Sequence, residues 1–316
     1  MEALLGRHGL SVPVRPTLFV PAATRRRIAL AALHRKKGPV LGFHAAKSHE
    51  VVDVQECLIS RPELVAMLPL LRSAMAGWLK KAEALDLTVT LYPNGVDVLL
   101  TGPEPDIDAR QDMAAFGHAH NIARISWRKD VKMVAEPMLA LRDPFLKFGA
   151  ATVVPPAGAF LQPSVEGEAA LLQFVCEALD SAPAARAHKP RKIADLFAGC
   201  GTFGLRLAEQ ADVVLVEGDR EAVATLTRAI APLKSAKVYR RDLFRDALPP
   251  SELNDFDAVV FDPPRAGAKE QTQQLAQSRV PLLVAVSCNP DTFARDAKAL
   301  LAGGYICEWV QPVDQF

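Results

Sequence analysis

Three short segments in the second half of this chain carry residue types able to do chemistry. They are Asp195-Leu-Phe-Ala-Gly-Cys-Gly-Thr-Phe-Gly204, Phe261-Asp-Pro-Pro-Arg265 and Ser287-Cys-Asn-Pro290. The first is a glycine turn that leaves the apolar run Ile193–Phe197 and enters a helix-like stretch. The other two close the apolar runs Ala258–Phe261 and Pro281–Val286. An open α/β sheet binds its ligands at the carboxyl ends of its strands, so all three segments are expected in one crevice. A nucleotide-like cofactor beside a candidate nucleophile implies covalent group transfer.

Gly199, Gly201 and Gly204 satisfy the G-x-G-x-x-G pattern of dinucleotide folds, a weak signal by itself. Asp195, however, stands inside the strand, and a pyrophosphate is repelled by a carboxylate so close. A zwitterionic, sulfonium-bearing cofactor gains from one. The loop therefore favours S-adenosylmethionine over NAD, the plain alternative being a strand–helix turn without a ligand. Glu217, ending the run Val213–Glu217, can grip ribose hydroxyls in either reading, and Asp242 ends the next run where an adenine edge would lie.

Amino methylases of adenine and cytosine use a related Asp-Pro-Pro turn followed by an aromatic residue that stacks on the flipped base. Here Arg265 follows, a side chain suited to a uracil carbonyl or a phosphate; a rigid turn with a solvated arginine is the plain alternative. C5 of a pyrimidine becomes nucleophilic only after a thiolate adds to C6, so C5 chemistry needs a cysteine. Cys288 is that candidate, because a strand end running into a helix N-terminus places partial positive charge beside the sulfur. Cys176, Cys200 and Cys307 read as structural.

The elements that must position these residues are legible as a change of texture. From Ile193 strands are predicted at 193–197, 213–217, 236–240, 256–262, 281–287 and 305–310, with helices near 203–209, 220–231, 267–277 and 291–302. That alternation is the pattern of a doubly wound parallel sheet, and Asp291 is expected to cap the last helix. The preceding half is α+β. Apolar spacing predicts a helix over 61–84, with Pro69 a possible kink. The runs at 88–92 and 96–100 around Asn94-Gly95 predict a hairpin with a tight Asn-Gly turn. Further strands are expected at 121–127 and 145–154, a helix over 165–179 and a connecting loop at 181–190. The fold class is thus α/β, a Rossmann-like domain at 156–316 preceded by a smaller α+β domain at 1–155.

At 316 residues and a net charge of +1, the chain has no global electrostatic mark of a nucleic-acid binder, so such binding must be local. Arg25, Arg26 and Arg27, and the cluster around Arg35, Lys36 and Lys37, are the local basic candidates; solvated charged turns are the plain alternative. Five scattered cysteines argue against a disulfide framework and for a reducing compartment. No leader or membrane-spanning run is evident, so a cytoplasmic protein is expected. No obligate protein partner is implied, and a monomer is expected.

These motifs closely resemble the RNA uracil-C5 methyltransferase family, over essentially the whole chain. Its Phe-x-Gln segment is matched by Phe160-Leu161-Gln162. The resemblance implies cofactor contacts from Gln162, Phe197, Gly199, Gly201, Thr202, Glu217, Asp242 and Asp262. It implies Cys288 as nucleophile, with Asp262 and Arg265 beside the base. Val52-Asp-Val-Gln-Glu-Cys57 is similar to the last ligand position of the four-cysteine [4Fe–4S] cluster in the ribosomal RNA branch. That favours 23S rRNA over tRNA as substrate. A cluster needs about four thiolates, so none is expected on Cys57 alone. The family's other cluster cysteines, its small N-terminal barrel and the C-terminal glutamate that takes the C5 proton have no counterpart here. A truncated product, a fragment or a divergent member is therefore expected, with a non-catalytic RNA- or cofactor-binding protein as the alternative function.

Overall fold

The alternating apolar runs after residue 191 lie side by side in a five-stranded, wholly parallel sheet. Its strands are β1 (Lys192–Leu196), β2 (Asp212–Glu217), β3 (Ala236–Arg240), β4 (Ala258–Phe261) and β5 (Leu282–Ala285), in the order β3-β2-β1-β4-β5. Near-continuous apolar strands are what a sheet buried on both faces requires. Ala194, Leu196, Val216, Val259 and Phe261 share one core with Leu248, Leu253, Leu275 and Leu300 from the connecting segments. The strand order reverses between β1 and β4, and crevices for ligands open at such a switch point. The structure is a computed structural model. It describes every residue except Lys37, Ala46, Lys47, His49, Lys81, Ala82 and 182–191, so the loop expected at 181–190 lies almost wholly outside the described residues.

Two compact units are present. One comprises Met1–Phe19, Lys147–Val153 and Gly167–Gln315 and contains the parallel sheet; the other comprises Val20–Leu146, Val154–Glu166 and Phe316. In the first, the expected strand at 305–310 does not form. The N-terminal segment takes the backbone there instead: the Val310 N–H donates to the Pro13 carbonyl and the Arg15 N–H to that of Val310. Val313–Asp314 then pairs in parallel with Leu18–Phe19.

The second unit is a seven-stranded mixed sheet with the helices Pro62–Trp78 and Ile107–Ala119. The first helix continues through Pro69 and stops at Trp78, earlier than its apolar spacing predicts: Leu79 turns extended, with φ −125° and ψ 132°, and Ala84–Tyr92 forms a strand. The hairpin forms one residue out of the predicted turn. Tyr92 pairs with Gly95, leaving Pro93-Asn94 as the turn, and Gly95 carries the positive φ of 144°. Asn94 braces that turn, its amide donating to the Asp143 carbonyl at 2.8 Å. Beneath it, Arg124 grips the buried Asp97 through two hydrogen bonds of 2.7 and 3.0 Å.

Candidate active site

The register of the parallel sheet sets the three motifs on one edge. Leu196 pairs with Val216 and with Phe261, and Phe261 pairs with Ala285, so β1, β2, β4 and β5 end at a common level. The glycine loop, Glu217, the Asp262 turn and the Cys288 turn all leave the sheet there.

The loop after β1 owes its course to left-handed backbone. Gly199 and Gly201 have φ of 55° and 90°, and Phe197 has φ 59° without being glycine. Non-glycine residues hold that conformation only where their surroundings enforce it, most often at functional sites. A Cβ on Gly201 would collide with Leu205 and Leu226, whereas one on Gly199 would meet nothing within 4 Å. Gly201 therefore serves packing, and Gly199 borders open space. Glu217 holds the loop in place: its Oε2 accepts the Gly199 N–H at 2.8 Å and its Oε1 accepts the Asp219 N–H at 2.7 Å. Each carboxylate oxygen keeps a further lone pair for a ligand hydroxyl. The half-buried Phe197 ring lies 5.4 Å from that of Phe244, whose N–H donates to Asp242 Oδ1 at 3.1 Å. Phe244 is a member of this cluster that the sequence reading missed; the aromatic two positions after Asp242 was the available signal.

Asp195 lies below the loop and is 1% exposed. Its Oδ2 accepts the Gly204 N–H at 2.7 Å, and its Oδ1 is buried without a hydrogen-bond partner. Burial pushes this carboxyl up to about 7; the Gly204 N–H pulls it down, and the carboxylates of Asp262 and Glu217 add to the rise. Three acidic groups thus face one another at the ends of β1, β2 and β4, and one buried oxygen lacks a donor. A cationic ligand group fits that field and a pyrophosphate does not. This chemistry fits S-adenosylmethionine, with its sulfonium and ammonium, and disfavours NAD.

On the other side of the switch point the Cys288 turn and the Asp262–Arg265 turn are bound to each other. The Val286 N–H donates to the Phe261 carbonyl at 2.9 Å. Asn289, rather than the expected Asp291, caps the helix Pro290–Ala302: its Oδ1 accepts the Asp291 N–H at 3.1 Å. Asp291 is turned instead to His8, at 3.0 Å. Of the five cysteines Cys288 alone is exposed. Cys200 is buried, Cys176 and Cys307 are half-buried, and burial pushes the Cys307 thiol up. Arg265 is exposed at the tip of its turn.

The remaining candidates lie in the second unit. Gln162 is buried, and its carbonyl accepts from Arg26 Nε at 3.1 Å. Arg26 is only 2% exposed, so it does not face RNA as its place in a basic run implied. Arg27 donates to the carbonyls of Ala159 and Gly158 at 2.6 and 3.2 Å, and Arg25 lies over the Phe316 ring. The run thus secures the Phe-x-Gln segment. Arg35 and Lys36 are exposed, and Lys37 lies outside the described residues. Cys57 accepts a hydrogen bond from Ser60 Oγ at 3.1 Å. Among the described residues, no three His, Cys, Asp or Glu side chains gather as a metal site, and no helix is long and apolar enough to cross a membrane.

A family model described as "Conserved hypothetical protein 95" matches residues 177–283. An RNA methyltransferase of Brucella suis is 41% identical over 99% of this chain and 73% of its own length. A 23S rRNA (uracil(1939)-C(5))-methyltransferase of Shewanella piezotolerans is 33% identical over 92% of this chain and 66% of its own. The crystal structure of the Pyrococcus abyssi tRNA (uracil-54, C5)-methyltransferase with S-adenosyl-L-homocysteine matches the fold with a TM-score of 0.72. That likeness spans 100% of this chain and 78% of the other at 22% identity.

Proposed function

This chain belongs to the RNA methyltransferase family, the one that contains the uracil-C5 enzymes, and we propose that it methylates C5 of a uridine in 23S rRNA through a covalent bond between Cys288 and C6. The observation that carries this reading is the exposed Cys288 thiol, hydrogen-bonded through its turn to the Asp262–Arg265 turn, on the sheet edge that also bears the glycine loop. S-adenosylmethionine, when bound, supplies an electrophilic methyl group. Glu217 and Asp242 would hold its ribose and adenine, with Phe197 and Phe244 against the ring, and Asp195 would offset its positive charge. Gly199, Gly201 and Thr202 complete the proposed cofactor contacts.

The uridine must leave its stack to reach this edge. Cys288 then adds to C6, and the C5=C6 π electrons move toward the C4 carbonyl, which Arg265 is suited to stabilise. Asp262 orients the pyrimidine edge. The methyl group would then pass to C5, with S-adenosylhomocysteine as the leaving group. The C5 proton would go to a base, for which Asp262 is the candidate on this edge, as the C6–S bond breaks to restore C5=C6 and the Cys288 thiolate. Arg35, Lys36 and Lys37 are proposed as phosphate contacts. 23S rRNA is favoured over tRNA because a relative so named covers most of the chain and because Cys57 sits in the sequence context of the ribosomal branch.

The test incubates the purified chain with labelled S-adenosylmethionine and unmodified transcripts of 23S rRNA and tRNA. Label on uracil C5 of 23S rRNA, and a denaturation-resistant protein–RNA adduct that is lost in Cys288→Ala, are the expected results. Methylation undiminished in Cys288→Ala would remove the nucleophile from this reading.

A further inference from the structure

The helix Pro290–Ala302 does more than follow the nucleophile. Residues three, four and seven apart share a helix face, and Asn289, Thr292 and Asp296, with Arg295 adjoining, turn theirs to the backbone of residues 265–268. Asn289 Nδ2 and Thr292 Oγ1 both donate to the Arg265 carbonyl, at 3.0 and 3.2 Å. Arg295 Nη2 donates to the Ala266 carbonyl at 3.0 Å, and the Ala268 N–H donates to the buried Asp296 Oδ2 at 2.7 Å. Four successive contacts lay the turn along the helix. Gly267, with φ 78°, permits the approach: a Cβ there would overlap Arg295, Asp296 and Thr292.

Asn289 has a special place in this set because it uses both ends of its amide. Its Oδ1 caps the helix that begins beside Cys288, and its Nδ2 holds the carbonyl of Arg265. We propose that Asn289 is a positioning residue that fixes the distance between Cys288 and Arg265, so that the thiol and the guanidinium meet opposite sides of one pyrimidine. This rests on the roles given above to Cys288 and Arg265. Asn289 itself touches neither substrate nor cofactor in this proposal.

Asn289→Asp separates its two tasks. Aspartate is as good a cap as asparagine, so the helix end is kept, while a carboxylate oxygen replaces the donor to Arg265. Hydrogen exchange of the Gly267 and Ala268 amides reads the clamp without any need for activity. The expected result is at least roughly tenfold faster exchange there, with the amides of 293–302 protected as in the wild type. Misplacement by about 1 Å can cost on the order of a hundredfold in rate. Turnover at saturating RNA should therefore fall roughly 10- to 100-fold, with the dissociation constant for S-adenosylhomocysteine unchanged within about twofold. Wild-type exchange at Gly267 and Ala268 would overturn the clamp. Faster exchange with wild-type turnover would overturn its positioning role. Should Asn289→Asp fray the helix, Asn289→Ser, which keeps a capping oxygen and removes the amide donor, carries the same expectations. A Cys288→Ala variant as active as the wild type would sink the nucleophile reading instead, while the exchange data judge the clamp separately.

Discussion

Asp195→Asn tests the electrostatics of the site at their most loaded point. In the free protein Asp195 is a carboxyl 1% exposed, raised from 3.8 to about 7 by burial and by the nearby carboxylates of Asp262 and Glu217. A folded-state value above the unfolded one means that the native state holds its proton longer. The stability contribution is then complete below about pH 4 and is lost as pH rises to about 7, beyond which it stays constant. The whole gap corresponds to at most about 4 kcal/mol, and roughly 3 kcal/mol of it falls between pH 5 and pH 8. Asparagine can still accept the Gly204 N–H, and it does not ionise. Urea unfolding of both proteins at pH 5, 6, 7 and 8 should show the variant gaining on the wild type by about 2–3 kcal/mol across that range. Comparing the slopes cancels every pH-independent cost of the substitution and the titration of groups common to both. The cofactor should respond in the opposite sense: wild-type affinity for S-adenosylmethionine should tighten as pH rises through about 7, and the variant should bind more weakly with a flat profile. Parallel stability profiles would refute the burial argument, and a variant that binds cofactor as well as the wild type would refute the role of the charge. A more stable, less active variant is the expected trade-off where a site keeps an unfavourable charge for function.

Glu217→Ala should weaken S-adenosylhomocysteine by about 1.5–3 kcal/mol, the value of a charge-assisted hydrogen bond; an unchanged dissociation constant by calorimetry would exclude Glu217 from the site. Asp97→Ala, in the second unit, leaves the Arg124 guanidinium without the carboxylate that holds it at 2.7 Å, and should cost about 3–5 kcal/mol in urea unfolding. A loss below about 1 kcal/mol would mean that Arg124 finds other partners. Reconstituted anaerobically with iron and sulfide, this chain should hold no stoichiometric [4Fe–4S] cluster, because such a cluster takes about four thiolates and Cys57 stands in no metal-binding group among the described residues. A full complement of iron by analysis and absorbance would show that other thiols substitute.

The candidate site was legible where chemistry and strand ends coincide. Asp195, Glu217, Asp262 and Cys288 each close or adjoin a short apolar run, and a parallel sheet with matched strands can only bring such residues to one edge. What the sequence hid depends on partners far away along the chain. Arg26 and Arg27 look like part of a solvated basic run. Their guanidiniums reach carbonyls 136 and 132 residues further on, and no local pattern announces an acceptor that belongs to a distant backbone. The segment 305–310 has strand-like composition, yet its neighbours are Pro13 and Arg15.

Asn289 shows a subtler limit. Asn289 and Asp291 are both good caps by type, and periodicity could not choose between them. Tertiary structure decides: Asn289 has an amide that serves the helix with one atom and Arg265 with the other, whereas a carboxylate could do only the first. The residue at the cap is therefore fixed by the neighbouring turn as much as by the helix. In Ser-Cys-Asn-Pro the cysteine invites attention as the candidate reactive group, but the asparagine after it ties that turn to the turn of Arg265. On the proposed reading, a motif that reads as one nucleophile in sequence carries that nucleophile and its mounting in three dimensions.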